Sequence, residues 1–93
     1  LDWTIKLDTH AIKQLKKLDK LAQRRIAVFL QKRLACCETP RNLGKPLVGR
    51  LSGLWRYRIG DYRIISKIKD REITVLVINI GHRKEIYRLH LVH

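Results

Sequence analysis

Trp3, Ile5 and Leu7 alternate with Thr4 and Lys6, and this period of two predicts a short strand with one buried face. Asp8 or Thr9 follows with a side-chain oxygen suited to a helix N-cap. Ala11, Ile12, Leu15 and Leu18 then fall on one helical stripe, with Lys13, Lys16 and Lys17 off it, so a first amphipathic helix is expected. After a break near Asp19 and Lys20, the stripe resumes as Ala22, Ile26, Phe29, Leu30 and Leu34. Arg24, Arg25, Lys32 and Arg33 lie mostly outside it. A second helix, antiparallel to the first, is predicted.

Pro40 and Pro46 bracket a stretch holding Asn42, Gly44, Gly49, Ser52 and Gly53, which predicts a loop over residues 38–53 rather than a linker between domains. Three apolar runs come next, 54–59, 62–69 and 73–80, separated by Gly60-Asp61 and by Asp70-Arg71-Glu72. They predict two successive hairpins. The last run is apolar at nearly every position, as a central strand covered on both faces would be. The order is β-α-α-β-β-β in one domain spanning residues 1–93. The expected class is α+β, with two helices packed on one face of a small, largely antiparallel sheet.

A two-residue Gly60-Asp61 turn of type I′ or II′ pairs Ile59 with Tyr62, Arg58 with Arg63, Tyr57 with Ile64 and Arg56 with Ile65. Trp55, Tyr57, Ile59, Tyr62 and Ile64 then share the core side, and Arg56, Arg58 and Arg63 share the other. Like charges directly opposed across a ladder are unfavourable, so Arg58 and Arg63 either splay into solvent or face an anion. A plain solvated basic face is the simpler alternative. The segment from Gly81 to Arg88 concentrates ionisable groups where the last strand ends, and strand-end loops often carry function. Its simpler alternative is a charged cap made by His82 and Arg83, with Tyr87 as a core anchor.

Charge sharpens this picture. The 93 residues carry 21 Lys and Arg against 8 Asp and Glu, a net formal charge of +13. Such a surface attracts phosphate before any specific contact forms, so RNA, DNA or an acidic protein is the expected partner. A chain of this length buries only roughly 60–65% of its unfolded surface, so a bound partner contributes materially to stability. Cys36 and Cys37 are adjacent and suit neither a disulfide framework nor a zinc site; reduced thiols are expected. Glu38, Asp61 and Asp70 are too scattered for a metal site, and no phosphate-cradling glycine loop is present, so no cofactor or metal is expected. With no apolar run of membrane length and no signal-peptide pattern, the expected location is the cytoplasm. The chain has no methionine, so Leu1 is not expected to be the natural start.

Leu54-Trp55-Arg56-Tyr57-Arg58-Ile59-Gly60-Asp61-Tyr62-Arg63-Ile64-Ile65, followed by Gly81-His82-Arg83-Lys84-Glu85-Ile86-Tyr87, resembles the RelE/ParE superfamily of bacterial type II toxins, on its RelE side. The resemblance runs from residue 3 to about residue 88, and leaves the tail from Leu89 to His93 outside it. It implies a small basic endoribonuclease that cleaves mRNA in the ribosomal A site, contacts ribosomal RNA and is neutralised by an acidic antitoxin. By position, Arg63 and Arg83 match the family's phosphate-binding, transition-state arginines, and Tyr87 matches its tyrosine near the C-terminus, which stacks on or orients a nucleotide. Arg56, Arg58 and Lys84 are then expected on the RNA. Arg56 and Arg58 stand where the best-known member has lysines. A guanidinium stays protonated, so neither should act readily as a general base. His82 or Glu85 is left for that role. Two alternatives stand beside it: a ParE-like inhibitor of DNA gyrase on the same scaffold, and a plain RNA-binding module explained by charge without catalysis. Lys13, Lys16, Lys17, Arg24 and Arg25 are candidates for docking the antitoxin or ribosomal RNA, with a merely solvated helix surface as the alternative.

Overall fold

The computed structural model describes residues 2–84. Strand β1 (Thr4–Leu7) leads into helix α1 (Thr9–Lys16), and α2 (Lys20–Val28) continues as a π-helical segment, Phe29–Leu34. Asp8 caps α1 by accepting from the Ala11 amide at 2.8 Å, and Asp19 caps α2 by accepting from the Ala22 amide at 2.8 Å. The predicted stripe of α2 is buried throughout, at Ala22, Ile26, Phe29, Leu30 and Leu34. The stripe of α1 differs at one position: Ile12 is 40% exposed. Its place beside Ala11, Leu15 and Leu18 is taken by Gln14, whose amide caps an open strand edge.

The region expected to be a loop holds more order than its composition suggests. It contains 3-10 turns at Pro40–Leu43 and Gly49–Leu51, and a two-residue strand, β2 (Lys45–Pro46). Two residues are too few for periodicity to register, and Pro46 has no N–H, which suits it only to a sheet edge. Strands β3 (Trp55–Ile59), β4 (Tyr62–Lys69) and β5 (Thr74–His82) follow. The sheet order is β1-β5-β4-β3-β2. β1 runs parallel to β5, from Thr4 opposite Thr74 to Leu7 opposite Val77, and the other pairs are antiparallel. The sheet is therefore mixed, with β5 inside it as its apolar run predicts.

The first hairpin has the expected register. Gly60 has φ 58 while Asp61 is not at positive φ, the pattern of a type II′ turn. The second connection is a 3-10 turn, Asp70–Glu72, closed by Ile73 in the left-handed region at φ 48 and ψ 49. Arg41 makes a bidentate pair with Asp70 at 2.8 Å, which raises the Arg41 pKa and holds the Asp70 carboxyl below the ordinary carboxylate range. The same guanidinium lies 5.6 Å from the centre of the Trp55 ring.

The core lies between the helices and one face of the sheet, and joins Ala11, Ile26, Phe29, Leu30 and Leu34 to Tyr57, Ile64, Val75, Val77 and Ile80. Tyr57 is fully buried, its ring 5.7 Å from that of Phe29 and its hydroxyl donating to the Pro40 carbonyl at 3.0 Å. Burial pushes its phenol up to about 12. From the ordinary value near 10 up to that point, the unfolded chain releases a proton that the folded chain keeps, so stability falls as pH rises through this window. Tyr57→Phe is expected to cost about 1 kcal/mol at neutral pH through the lost hydrogen bond. It should also flatten the alkaline limb, as read by urea denaturation across that range.

Candidate functional site

The hairpin register places Arg56, Arg58 and Arg63 on the sheet face opposite the helices, with Arg58 directly opposite Arg63. The two arginines resolve their repulsion in different ways. Arg58 is exposed, whereas Arg63 is only 8% exposed and its Nη1 donates to the carbonyls of Gly60 and Tyr62 at 3.0 Å each. Arg63 is thus bound back onto its own turn, and the face is not simply a solvated one. Arg56 and Arg58 also line a shallow groove of about 210 Å³ with Asn42, Leu43, Gly44 and Lys45, because β2 stops after two residues and leaves the Arg58 end of β3 uncovered.

β5 carries its last residues to the same end of the sheet. Gly81 lies opposite Arg63 and His82 opposite Tyr62. The Arg83 amide donates to the Asp61 carbonyl at 2.7 Å, and Arg83 Nε lies 3.8 Å from Asp61 Oδ1. The hairpin tip and the strand end are therefore tied together, and the exposed Arg83 side chain is set beside the turn that holds Arg63. Asp61 was not singled out in the sequence for this purpose. Its signal was its place at the tip of an arginine hairpin, where its backbone and carboxylate both meet Arg83.

Gln14 is the second residue that the apolar pattern hides. β1 ends where the Asp8 amide donates to the Val77 carbonyl, so β5 has no strand on that side beyond Val77. Gln14 Oε1 accepts from the Ile80 amide at 2.7 Å, and Gln14 Nε2 donates to Asn79 Oδ1 at 2.6 Å. One side chain thus replaces a missing strand, just past the irregularity where β5 holds an extra residue between the partners of Ile65 and Ser66. The detectable signal was a polar residue set at i+3 from Ala11, within an otherwise apolar stripe.

His82 is not brought onto the arginine face. It shares the helix side with Tyr62, their rings 5.9 Å apart at 78°, and with Gln14, Lys17 and Leu18 it lines a recess of about 270 Å³. Its Nδ1 accepts from the Lys84 amide at 3.2 Å. In the neutral ring this places the proton on Nε2, with the Nδ1 lone pair turned to the Lys84 amide and away from the arginine face. Lys84 is exposed next to Arg83, while Glu85 and Tyr87 lie outside the described residues. Among the described residues no three His, Cys, Asp or Glu side chains gather as metal ligands, and no helix is long and apolar enough to cross a membrane.

Comparison with known proteins agrees with this architecture. A family model described as the ParE toxin of the parDE type II toxin-antitoxin system matches residues 5–87. Toxin RelG of Mycobacterium tuberculosis is 32% identical over 88 residues, which span 95% of this chain and 99% of the relative. Among solved structures, the M. tuberculosis toxin-antitoxin complex RelBE2 superimposes with a TM-score of 0.82 at 30% identity, over 89% of this chain and 93% of the matched one. The isolated Escherichia coli RelE toxin gives a TM-score of 0.67 at 20% identity over 86% and 83%, a likeness of fold. Two N-terminal helices on a five-stranded mixed sheet, with arginines gathered at a hairpin tip, define a RelE-like α+β domain. The chain belongs to the RelE/ParE superfamily of type II toxins.

Proposed function

We propose that this toxin is an endoribonuclease of the RelE kind, which cleaves mRNA in the ribosomal A site and is held inactive by an acidic antitoxin. The observation that carries the reading is the link between the strand end and the hairpin tip, which sets Arg83 beside the turn occupied by Arg63. In the reaction a ribose 2′-oxygen forms a bond to its own 3′-phosphorus as the 5′-oxygen leaves. The 2′-hydroxyl loses a proton to a base, and the departing oxygen gains one. Negative charge grows on the equatorial phosphate oxygens, and a planar guanidinium matches two of them at once. Arg63 and Arg83 fill that role, with Arg56, Arg58 and Lys84 guiding the backbone. The base role passes to Glu85, since His82 faces the other side of the sheet with Nδ1 engaged. Tyr87 orients the nucleotide.

The test is a reconstituted bacterial translation reaction on a defined mRNA, read by primer extension. Cuts within A-site codons that vanish when the ribosomes are left out are the expected result. The matching family model carries the name of ParE, which favours inhibition of DNA gyrase as the second reading. Uncut mRNA together with loss of gyrase supercoiling activity, from verified folded protein, decides for that one.

A further inference from the structure

Asp61 is a carboxylate set among cations. The hairpin and strand end around it carry Arg58, Arg63, Arg83 and Lys84, and Arg25 reaches the tip from α2, its Nη1 3.6 Å from where a side chain on Gly60 would begin. A negative charge at that place works against a bound phosphate, so its presence calls for a compensating role. The turn does not supply one, because its second residue is as readily asparagine or serine as aspartate. Arg83 does. The Asp61 carbonyl accepts from the Arg83 amide at 2.7 Å, and Asp61 Oδ1 lies 3.8 Å from Arg83 Nε. The first contact fixes where the Arg83 side chain starts, and the second acts on its guanidinium.

We propose that the Asp61 carboxylate is a positioning residue for Arg83, holding the guanidinium from its Nε side so that the terminal nitrogens face the phosphate being cleaved. The inference rests on the proposed function, which supplies that phosphate. An exposed arginine spreads over many rotamers, and only the fraction turned toward the phosphate is competent. A fixed carboxylate beside Nε narrows the spread. At 3.8 Å the pair is too long for a hydrogen bond, so it biases the side chain without tying it up. Nη1 and Nη2, the fork that reaches two phosphate oxygens at once, are left for the substrate. Arg63 needs no such help, since its Nη1 is already held by the Gly60 and Tyr62 carbonyls. The carboxylate therefore weakens the attraction for RNA while improving orientation, and removing its charge moves affinity and rate in opposite directions.

The test compares the full chain with Asp61→Asn, which keeps the backbone carbonyl and the shape of the side chain and loses only its charge. Single-turnover cleavage in the translation reaction is followed over a range of ribosome concentrations. The rate at saturation should fall about 3- to 10-fold, a modest loss because the pair is exposed, while the half-saturating concentration stays unchanged or drops. In an Arg83→Ala background the same substitution should change the rate by less than about twofold, because the residue it acts through is gone. A rate equal to or above wild type, or an equal loss in the Arg83→Ala background, overturns the proposal. Nitrogen-15 NMR reads the orientation of Arg83 without any RNA. Exchange of its Nε–H with water should quicken at least about twofold in Asp61→Asn, while its backbone amide, still bonded to the residue 61 carbonyl, keeps its shift. Equal exchange in the two proteins overturns the proposal, and so does a displaced amide, which would make the role of Asp61 structural. If wild type itself leaves mRNA uncut, the nuclease reading fails while the NMR comparison still decides whether Asp61 holds Arg83.

Discussion

If the proposed A-site cleavage holds, Arg83→Ala is expected to lower its single-turnover rate by about 10²- to 10³-fold with no measurable loss of fold. The expected fall comes from removing one oriented cation from the oxygens that gain charge as the phosphorane of the proposed reaction forms. The fold survives because the link to the hairpin runs through the Arg83 backbone amide, which alanine keeps, while the side chain is 53% exposed and meets Asp61 only at 3.8 Å. Arg83→Lys restores the charge but not the planar fork, and recovers only part of the loss. Arg63→Ala is expected to slow cleavage to a similar degree and also to destabilise the hairpin, because its Nη1 joins the Gly60 and Tyr62 carbonyls. Rates measured in the translation reaction beside melting curves separate the two effects. An Arg83→Ala protein that cuts within about threefold of wild type would remove the guanidinium from the mechanism.

Among Gly44, Gly49, Gly53 and Gly60, Gly44→Ala is expected to be the most damaging addition of a methyl group. A Cβ there would lie 2.6 Å from the Arg56 carbonyl oxygen and 2.8 Å from Tyr57 Cε1. Both neighbours are fixed, one as backbone of β3 and the other as a fully buried ring. The backbone at Gly44 is extended, with φ −131, so the need for glycine is one of space and not of handedness. Overpacking of this kind costs about 1–3 kcal/mol, occasionally more, which in a domain of this size lowers Tm by roughly 5–20 °C. Gly49→Ala and Gly53→Ala give the contrast. They sit at φ 67 and 97 with nothing within 4 Å, and lose only the strain of the left-handed region, about 1–2 kcal/mol. Thermal unfolding of the three variants should rank Gly44→Ala last, and an order led by Gly53→Ala would put handedness above crowding. The clash also strikes the β2–β3 edge beside Arg56 and Arg58.

The parts of the fold that announce themselves in sequence are those with a period. β1, the buried stripe of α2 and the Gly60-Asp61 hairpin were legible because Trp3-Ile5-Leu7, Ala22-Ile26-Phe29-Leu30-Leu34 and the alternation from Trp55 to Ile64 each match one repeat. β2 was not, since two residues have no period and one is a proline. Gln14 was passed over because a polar side chain within an apolar stripe reads as an interruption, until the unpaired edge of β5 shows what it satisfies. The arginine cluster was visible, yet the division of labour within it was not. Opposing Arg58 and Arg63 follow from register alone, but that one is buried against its own turn and the other exposed is decided by where the turn carbonyls point. The face occupied by His82 likewise depends on the strand register at Tyr62, which no spacing rule within Gly81-His82-Arg83 contains.

The parallel seam between β1 and β5 sets the order in which this molecule can be made. Thr4 meets Thr74 across seventy residues of chain, so the strand synthesised first is seated only after the strand synthesised last among those described. Closing so large a loop is slow relative to forming the α1–α2 region or the β3–β4 hairpin. During that interval Trp3, Ile5 and Leu7 have no sheet to join, and Gly81 to Arg83 have not yet reached the hairpin tip. A nascent or truncated molecule that lacks β5 is therefore expected to have neither the β1–β5 seam nor the Asp61–Arg83 link at the hairpin tip.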